Sequence, residues 1–449
     1  EKMDMLHGSI WNKLIYYALP VAATGILEQL FNASDVAIVG NFAGSAKTIA
    51  VAAVGANRPI IGLILNLFIG IALGTNVVIA NAIGREDEKT IHKAVHTSII
   101  MAIVGGLIVM IIGELLIGHL LKMLNVPDDV FPYALLYIRI YLIGMPVILL
   151  YNFEAAIFRS VGDTKTPLIA LAASGVLNVI LNLFFVIVLK MTVNGVAIAT
   201  VVSNALSSAV LFIRLLHTDK EIKVEIKDLK FDGEAFKKII KIGLPAGIQG
   251  AVFALSNIII QSAINSLGKV VMAASSAAYN IEILAYDVLN SFSQACTTFV
   301  GQNFGARKID RCKKTLYLCL LEDLVATLSA VGLVLLFGRF LLSLFNSDPE
   351  VIDIGYTRLA IILSAYVFSM IYDVISGYLR GFGISLVPSL LTIAGVCGIR
   401  IFWISVVFPQ SPTFRTIMNV YPVSLGTTAF LIFLSLLFYR PARKYSKRN

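Results

Sequence analysis

An aspartate inside an apolar stretch is the first residue of this chain whose position indicates chemistry. The stretch LFNASDVAIVG, residues 30–40, is otherwise typical of a membrane-crossing helix, and it contains Asp35. Leaving that carboxylate charged in hydrocarbon costs at least about 3 kcal/mol. Glu28 and Asn32 share one helix face with Asp35, because the three residues follow each other at spacings of four and three. A polar stripe on an apolar helix is expected to face a bundle interior or a water-filled cavity.

Two later apolar stretches supply oxygen atoms that suit such a carboxyl group. LNVILN places Asn178 and Asn182 one helical turn apart, and GVAIAT ends on Thr200. Amide and hydroxyl oxygens beside one carboxylate can coordinate a hard cation such as Na⁺ or stabilise a protonated acid. Removal from water favours the protonated acid, so Asp35 is a candidate proton carrier of the kind that an ion-driven antiporter needs. The alternative is that these groups only form hydrogen bonds between packed helices.

The composition predicts that these segments lie in a membrane. Hydrophobic residues make up 58% of the chain and charged residues only 14%, against about 25% charged residues in an ordinary soluble domain. Twelve apolar segments reach the spanning length of about 20 residues. The longest polar segment, 217–241, lies between the sixth and seventh segments and is expected to be a partly helical cytoplasmic linker. The sequence thus predicts an all-α integral membrane protein with an N-lobe at 1–216 and a C-lobe at 242–449.

The positive charge of the chain is concentrated in alternate loops. The net charge is +9, and most of the 36 Lys and Arg residues lie in one set of loops and at the two ends of the sequence. Such a bias marks the cytoplasmic side of a membrane protein. We therefore expect both ends of the chain in the cytoplasm. The charge is interpreted as a topology signal, and no nucleic-acid partner is expected.

The two halves of the chain repeat each other. At a shift of 221 residues, FRSVGDTKTP (158–167) matches LRGFGISLVP (379–388) in the pattern R-x-x-G-x-[ST]-x-x-P. At a shift of 225, ALPVAATGILEQLFN matches GLPAGIQGAVFALSN. Six spans per half give both halves one orientation, which predicts two six-helix bundles related by a pseudo-two-fold axis along the membrane normal, with a substrate path between them. Pro20, Pro146 and Pro245 are positions at which a helix could bend during motion, or static kinks.

The second half lacks the acidic stripe of the first half. Its opening helix has no acid in the corresponding region, and its polar stripe consists of the amides Asn257, Gln261 and Asn265. Coupling chemistry is therefore expected to be asymmetric and to favour the first half.

Arg400, in the eleventh span, is a cation inside an apolar segment and needs a partner. Asp373 in the tenth span or Glu282 in the eighth would serve, which predicts a buried ion pair whose disruption is costly. A structural lock and a transport role are both open for these charges of the C-lobe.

Several motifs together resemble those of the multidrug and toxic compound extrusion (MATE) family, nearest its prokaryotic DinF-like branch. They are the LP…D opening helix, the R-x-x-G-x-[ST]-x-x-P loops, SFSQACTTFVGQNFGA (291–306) and the VYPVS start of the last span. The similarity covers essentially the whole chain. It implies secondary active export of organic, often cationic compounds in exchange for Na⁺ or H⁺, by alternating access between two six-helix lobes.

The resemblance also implies a coupling site in the N-lobe. The first-helix aspartate of the family falls on Asp35, its fifth-helix Asn-x-x-x-Asp motif on Asn178 and Asn182, and its sixth-helix threonine on Thr200. The second acid of the motif is an amide here. This difference favours H⁺ as the coupling ion, with Na⁺ at Asp35 as the alternative. No structural metal and no other cofactor is expected.

The substrate path implied by the resemblance is the cleft between the lobes. Acidic and aromatic side chains there would suit a lipophilic cation. The candidate lining residues are Glu28, Asn32, Gln261, Tyr279, Glu282, Tyr286 and Asp287. The implied partners are small organic compounds and the lipid bilayer of a prokaryotic plasma membrane, with one chain acting as a monomer.

Other classes of function fit the residues less well. A flippase for a lipid-linked or amphipathic precursor is the nearest alternative, but it would favour a strongly cationic cavity, whereas Glu28 and Asp35 are acidic. A membrane-embedded enzyme would need a clustered nucleophile, base or metal set, and the five histidines are scattered. A channel is less consistent with a two-lobe repeat, which indicates moving halves.

Overall fold

A computed structural model describes residues 3–446 of the chain. Within this range every regular element is a helix, and the helices form twelve long segments. The first six are α1 (Ile10–Phe42), α2 (Gly44–Gly84), α3 (Glu88–Met123), α4 (Phe131–Ile143 and Met145–Ser160), α5 (Lys165–Val188) and α6 (Val193–His217). The second six are α7 (Gly233–Asn265), α8 (Lys269–Gly305), α9 (Ile309–Ser343), α10 (Pro349–Ser364 and Tyr366–Gly381), α11 (Leu386–Gln410) and α12 (Phe414–Ser446). The predicted all-α fold with twelve segments is confirmed.

The surface of the bundle is suited to lipid. Among the described residues, nine helices are long and apolar enough to cross a membrane, and two more spans qualify when each bent pair counts as one. The remaining segment, α8, has 37 residues but a more polar composition. Large apolar side chains point outward, with Leu115 73% and Leu336 75% exposed. A water-soluble protein rarely exposes apolar surface on this scale.

The internal repeat extends to the geometry of single residues. Helices α1 and α7 both have 33 residues, and the broken helices α4 and α10 bend by 52° and 41°. Gly162 and Gly383, which the repeat pairs, both adopt φ of +87° in the turns after those helices. Only glycine reaches this conformation without strain, so the R-x-x-G pattern marks a turn that both halves share.

Only one of the three predicted bend positions coincides with a break in a helix. Pro146 lies directly after the break in α4. Pro20 and Pro245 lie inside α1 and α7, which continue through them as single helices. The break in α10 falls at Ala365 and has no proline. Bending in the C-lobe therefore follows the position of the repeat and not the presence of a proline.

The segment that joins the halves packs on the N-lobe. Helix α6 ends at His217 and α7 begins at Gly233, so the break between the halves lies inside the predicted linker at 217–241. The backbone N–H of Glu225 donates to Nε2 of His96 on α3 at 3.0 Å. The linker is thus attached to one lobe.

The two lobes touch each other near the end of the bundle that carries the first and last described residues, Met3 and Ser446, which we call the terminal end. There a methyl group on Gly74 of α2 would lie 2.8 Å from the backbone nitrogen of Gly243 on α7. The hydroxyl groups of Tyr17 on α1 and Thr298 on α8 are 2.7 Å apart and join the lobes by a hydrogen bond. Glycines allow helix backbones to approach this closely.

The lobes separate toward the opposite end. A methyl group on Gly250 of α7 would still lie 2.9 Å from the backbone oxygen of Asn66 on α2. Farther along the same face of α2, Gly62 and Gly55 have open space beside them. A cleft therefore opens between the lobes beyond Asn66 and Gly250.

Candidate functional site

Close packing of α1 on α5 positions the first candidate site. A methyl group on Gly175 of α5 would overlap the ring of Phe31 on α1, so the glycine admits the ring. Asp35 lies one turn beyond Phe31, and Asn178 lies one turn beyond Gly175. The two helices thus bring an acid and an amide together inside the N-lobe.

Both predicted amides bind the carboxylate of Asp35. Its Oδ1 accepts hydrogen bonds from Nδ2 of Asn178 at 2.8 Å and from Nδ2 of Asn182 at 2.5 Å. The aspartate is 6% exposed and the two asparagines are 7% and 0% exposed. The acid is therefore held away from both lipid and bulk water.

The three side chains also leave oxygen atoms without donors. Oδ1 of Asn178 and Oδ1 of Asn182 are buried and accept no hydrogen bond in the described structure. Each amide donates to the same carboxylate oxygen of Asp35, so the other carboxylate oxygen remains available. A proton on that oxygen, or a small hard cation beside it, would find acceptors at this site. One carboxylate and two amides could therefore hold either a proton or a small cation.

No hydrogen bond joins Thr200 to this site in the described structure. Its hydroxyl donates to the backbone oxygen of Val196 on its own helix, α6, at 3.0 Å. A threonine within a helix commonly bonds to the carbonyl four residues earlier. Hydrogen bonds thus join three of the four predicted coupling residues.

The surroundings of Asp35 include three residues that sequence reasoning missed. Arg58 on α2 is close enough for its charge to act on Asp35. Tyr137 and Tyr141 on α4 also lie within reach of the charge of Asp35. Their rings stack with centroids 6.1 Å apart. The available signal was a single arginine in the apolar stretch GANRPIIG.

Acids from both lobes meet at the base of the cleft. A methyl group on Gly25 of α1 would lie 2.9 Å from the carboxyl carbon of Asp287 on α8. Glu28, less than one turn beyond Gly25, is close enough for its charge to interact with that of Asp287. The other predicted lining residues divide by exposure: Asn32, Gln261 and Tyr279 are exposed, and Tyr286 is partly buried.

Glu282 does not line the cleft, contrary to the prediction. It is 3% exposed, and its Oε1 lies 2.6 Å from Nη2 of Arg358 on α10. Arg358 also donates to Ser275. The sequence analysis did not single out Arg358, which lies in the apolar stretch TRLAIIL. Without that partner, Glu282 was wrongly assigned to the substrate path.

The predicted ion pair of Arg400 with Glu282 or Asp373 is also wrong. Arg400 donates from Nη1 to Oδ1 of Asn257 at 3.0 Å, and its guanidinium lies over the ring of Tyr421 at 4.7 Å. Glu282 is occupied by Arg358. Asp373 interacts instead with the charge of Arg380, seven residues later on α10.

Further buried acids were missed in both lobes. In the N-lobe, Oε1 of Glu154 accepts a hydrogen bond from Ser208 at 2.9 Å. In the C-lobe, Oδ1 of Asp323 accepts from Thr327 at 2.9 Å. Glu322 is 5% exposed, and neither of its carboxylate oxygens has a hydrogen-bond partner in the described structure. Isolated acids in YNFEAAIF and LEDLVATL were the signal in the sequence.

Comparison with known proteins agrees with the fold and with the resemblance. Residues 20–184 and 245–404 match the family model MatE. The chain is 26% identical over 403 residues to the "Probable multidrug resistance protein YoeA" of Bacillus subtilis (strain 168), covering 88% of this chain and 86% of that protein. It is 25% identical over 447 residues to the "Probable multidrug resistance protein NorM" of Thermotoga maritima, covering 98% and 94%.

A solved structure has the same architecture over the full length. It is described as an outward-facing conformation of a multidrug resistance MATE family transporter of the MOP superfamily. The TM-score is 0.88 with 21% sequence identity, and the match covers 100% of both chains. The relatives are named as multidrug resistance proteins and the solved structure as a transporter, which supports the prediction that the chain is not an enzyme. The two matched segments cover most of both halves, and the chain belongs to the MatE family of multidrug efflux transporters.

Proposed function

We propose that this chain is a secondary active antiporter that exports small organic compounds, often cationic and amphipathic, in exchange for H⁺. The observation that carries the proposal is the buried carboxyl group of Asp35, bound by Asn178 and Asn182. An ionisable residue inside a membrane bundle marks an ion pathway by default. Na⁺ at Asp35 is the alternative coupling ion.

The donor set favours a proton over a sodium ion. The site offers one carboxylate and two neutral amides, and the amides already donate to Oδ1 of Asp35. A proton needs only the second carboxylate oxygen and one acceptor. Hard metal cations are held by several oxygens, usually with more than one carboxylate where binding is tight.

Helix α1 connects this site to the contact between the lobes. Asp35 lies toward the open end of α1, whereas Tyr17, nearer the terminal end, bonds to Thr298 of α8. Gly25 lies between them and packs against Asp287. A change in the charge of Asp35 would alter how α1 packs on α5, and the shift would reach the surface that closes the terminal end.

The charge bias of the loops sets the direction of transport in this proposal. Lys and Arg residues are concentrated at the terminal end, which is expected to be cytoplasmic. The cleft then opens to the outside, and the acids Glu28 and Asp287 at its base suit a cationic compound. Both lobes and the cleft belong to one chain, which supports a monomer as the transporting unit in the plasma membrane.

Transport by purified protein in proteoliposomes tests the proposal. With an imposed proton gradient, the wild type is expected to move a cationic dye such as ethidium, and Asp35→Asn is expected to lose this gradient-driven flux. Asp353→Asn is the matched control, because Asp353 forms an exposed surface pair with Arg339 at 2.5 Å. Full proton-driven flux in Asp35→Asn would exclude Asp35 from coupling. Dye flux of the wild type under a sodium gradient alone distinguishes Na⁺ from H⁺ as the coupling ion.

A further inference from the structure

Two buried arginines of the C-lobe differ in how their charge is balanced. Arg358 and Arg400 are 4% and 5% exposed. Arg358 is neutralised by Glu282, with Nη2 and Oε1 2.6 Å apart. Within residues 3–446, Arg400 has no such partner, and its one hydrogen bond to another side chain is to the neutral amide of Asn257.

The contacts of Arg400 neither neutralise its charge nor use all of its hydrogen-bond donors. The ring of Tyr421 lies 4.7 Å from the guanidinium carbon, and that of Phe253 lies 5.7 Å from it. Aromatic faces stabilise a cation only in part. Nε is buried and donates to no acceptor in the described structure. A buried cation without a counter-charge is costly, so an anionic group at this edge would be strongly favoured.

Asn257 connects Arg400 to the cleft. It is exposed and lies seven residues beyond Gly250, whose face packs on α2. Gln261 follows four residues later and is also exposed. Helical spacing places these residues on one face of α7, on the part that faces the cleft. The guanidinium of Arg400 thus stands directly behind the C-lobe wall.

We propose that Arg400 and Asn257 form a subsite for the carboxylate of a zwitterionic, amphipathic substrate. The guanidinium would bind the carboxylate through two N–H groups, as its planar fork commonly does. The Asn257 amide would form the adjoining, cleft-facing side of the subsite. Glu28 on the N-lobe side of the cleft would attract the cationic group of the same molecule. This inference rests on the proposed function, because it takes the cleft as the substrate path.

A matched pair of dyes tests the subsite. Rhodamine B carries a carboxylate, and its ethyl ester carries the same cationic ring system without it. Binding of both to the full chain in phosphatidylcholine nanodiscs is measured by fluorescence anisotropy. Arg400→Gln is expected to raise the Kd of rhodamine B about tenfold and that of the ester by less than about twofold. Arg339→Gln, at a surface ion pair, should change neither.

A second variant covers the case in which Arg400→Gln does not fold, as judged by thermal unfolding. Arg400→Lys keeps the charge but loses the fork, and it should weaken rhodamine B binding about threefold without affecting the ester. Equal weakening of both dyes, no weakening of either, or a wild type that binds the ester as tightly as rhodamine B overturns the subsite.

The anionic group could also come from a lipid phosphate, and a third arm separates the two sources. Phosphatidylglycerol is added to the nanodiscs. If it displaces rhodamine B from the wild type, and Arg400→Gln shows no such competition, the headgroup is the occupant and the assignment to a substrate is overturned. The binding assay uses no ion gradient, so its failure leaves the Asp35 flux test unaffected, and failure of that flux test leaves the dye selectivity intact.

Discussion

Gly175 lies so close to Phe31 that a single methyl group on the glycine would overlap the aromatic ring. The contact joins α5 to α1 one turn before Asn178 bonds to Asp35. The two helices are thus held at a separation that the site requires, and the glycine sets that separation.

Gly175→Ala is expected to force α1 away from α5. Overpacking of this kind costs about 1–3 kcal/mol of stability, and the displaced Asp35 should lose its two amide donors. We expect a lower unfolding temperature in detergent together with a loss of most proton-driven dye flux. Gly118→Ala on α3 is the control, because the space beside Gly118 is open. That change should be neutral or raise stability by about 0.5–1 kcal/mol, as alanine does within a helix.

A second carboxylate in the site is expected to change its ion preference. Asn182 donates to Asp35 at 2.5 Å, so Asn182→Asp would place two carboxylates at hydrogen-bond distance. Like charges this close require a cation or a shared proton between them. We therefore expect dye flux driven by a sodium gradient to increase at least about twofold over the wild type, because the site gains an anionic ligand.

The same change outside the site shows whether charge alone is responsible. Asn41 is exposed and bonds to Ala37 on its own helix at 2.7 Å. Asn41→Asp should leave the sodium dependence at the wild-type level. An equal increase in both variants would mean that the effect is not local to Asp35.

The architecture could be predicted from the sequence because each half of the repeat independently indicates the same order of helices and turns. Gly162 and Gly383 mark matching turns, and the breaks in α4 and α10 occur at matching places. The sequence was also sufficient for the contact of Asp35 with Asn178, since regular helices carry both residues and helical spacing fixes which face each occupies.

Contacts between side chains of different helices were harder to predict. Arg400 was expected to pair with Asp373 or Glu282, but Glu282 forms its ion pair with Arg358. Helical periodicity gives the face of a residue and not its depth or the rotation of a neighbouring helix. The hydroxyl of Thr200 donates to the backbone of its own helix, and helical spacing does not predict whether a threonine bonds to its own backbone or to a neighbouring helix.

The pair of Glu282 and Arg358 is expected to be essential for stability. Both side chains are 5% exposed, and removing one partner of a buried pair leaves the other charge unpaired, at a cost of about 3–5 kcal/mol. Glu282→Gln should therefore lower the unfolding temperature strongly and reduce the yield of folded protein.

An exposed pair in the same lobe provides the comparison. Arg339 and Asp353 lie 2.5 Å apart with side chains 59% and 67% exposed. Surface pairs contribute about 0–1 kcal/mol, so Asp353→Asn should unfold close to the wild-type temperature. Similar losses in the two variants would show that burial does not control the strength of the Glu282 pair.

The close contact of Gly74 with Gly243 is expected to keep the terminal end shut. A methyl group on Gly74 would lie 2.8 Å from the nitrogen of Gly243, so Gly74→Val should wedge the lobes apart there and bias the protein toward closing the cleft at the opposite end. Gln261→Cys reports this change, because Gln261 is exposed and the four native cysteines are buried.

Labelling of the Gln261→Cys variant from outside intact cells by a membrane-impermeant maleimide measures the bias. The labelling rate should fall when Gly74→Val is added, by about fivefold for each 1 kcal/mol of bias, whereas Gly55→Val should leave the rate unchanged because the space beside Gly55 is open. An unchanged rate with Gly74→Val would mean that the two ends of the cleft open independently. In that case rocking of two rigid lobes could not be the basis of transport, since rigid lobes that part at one end must approach each other at the other.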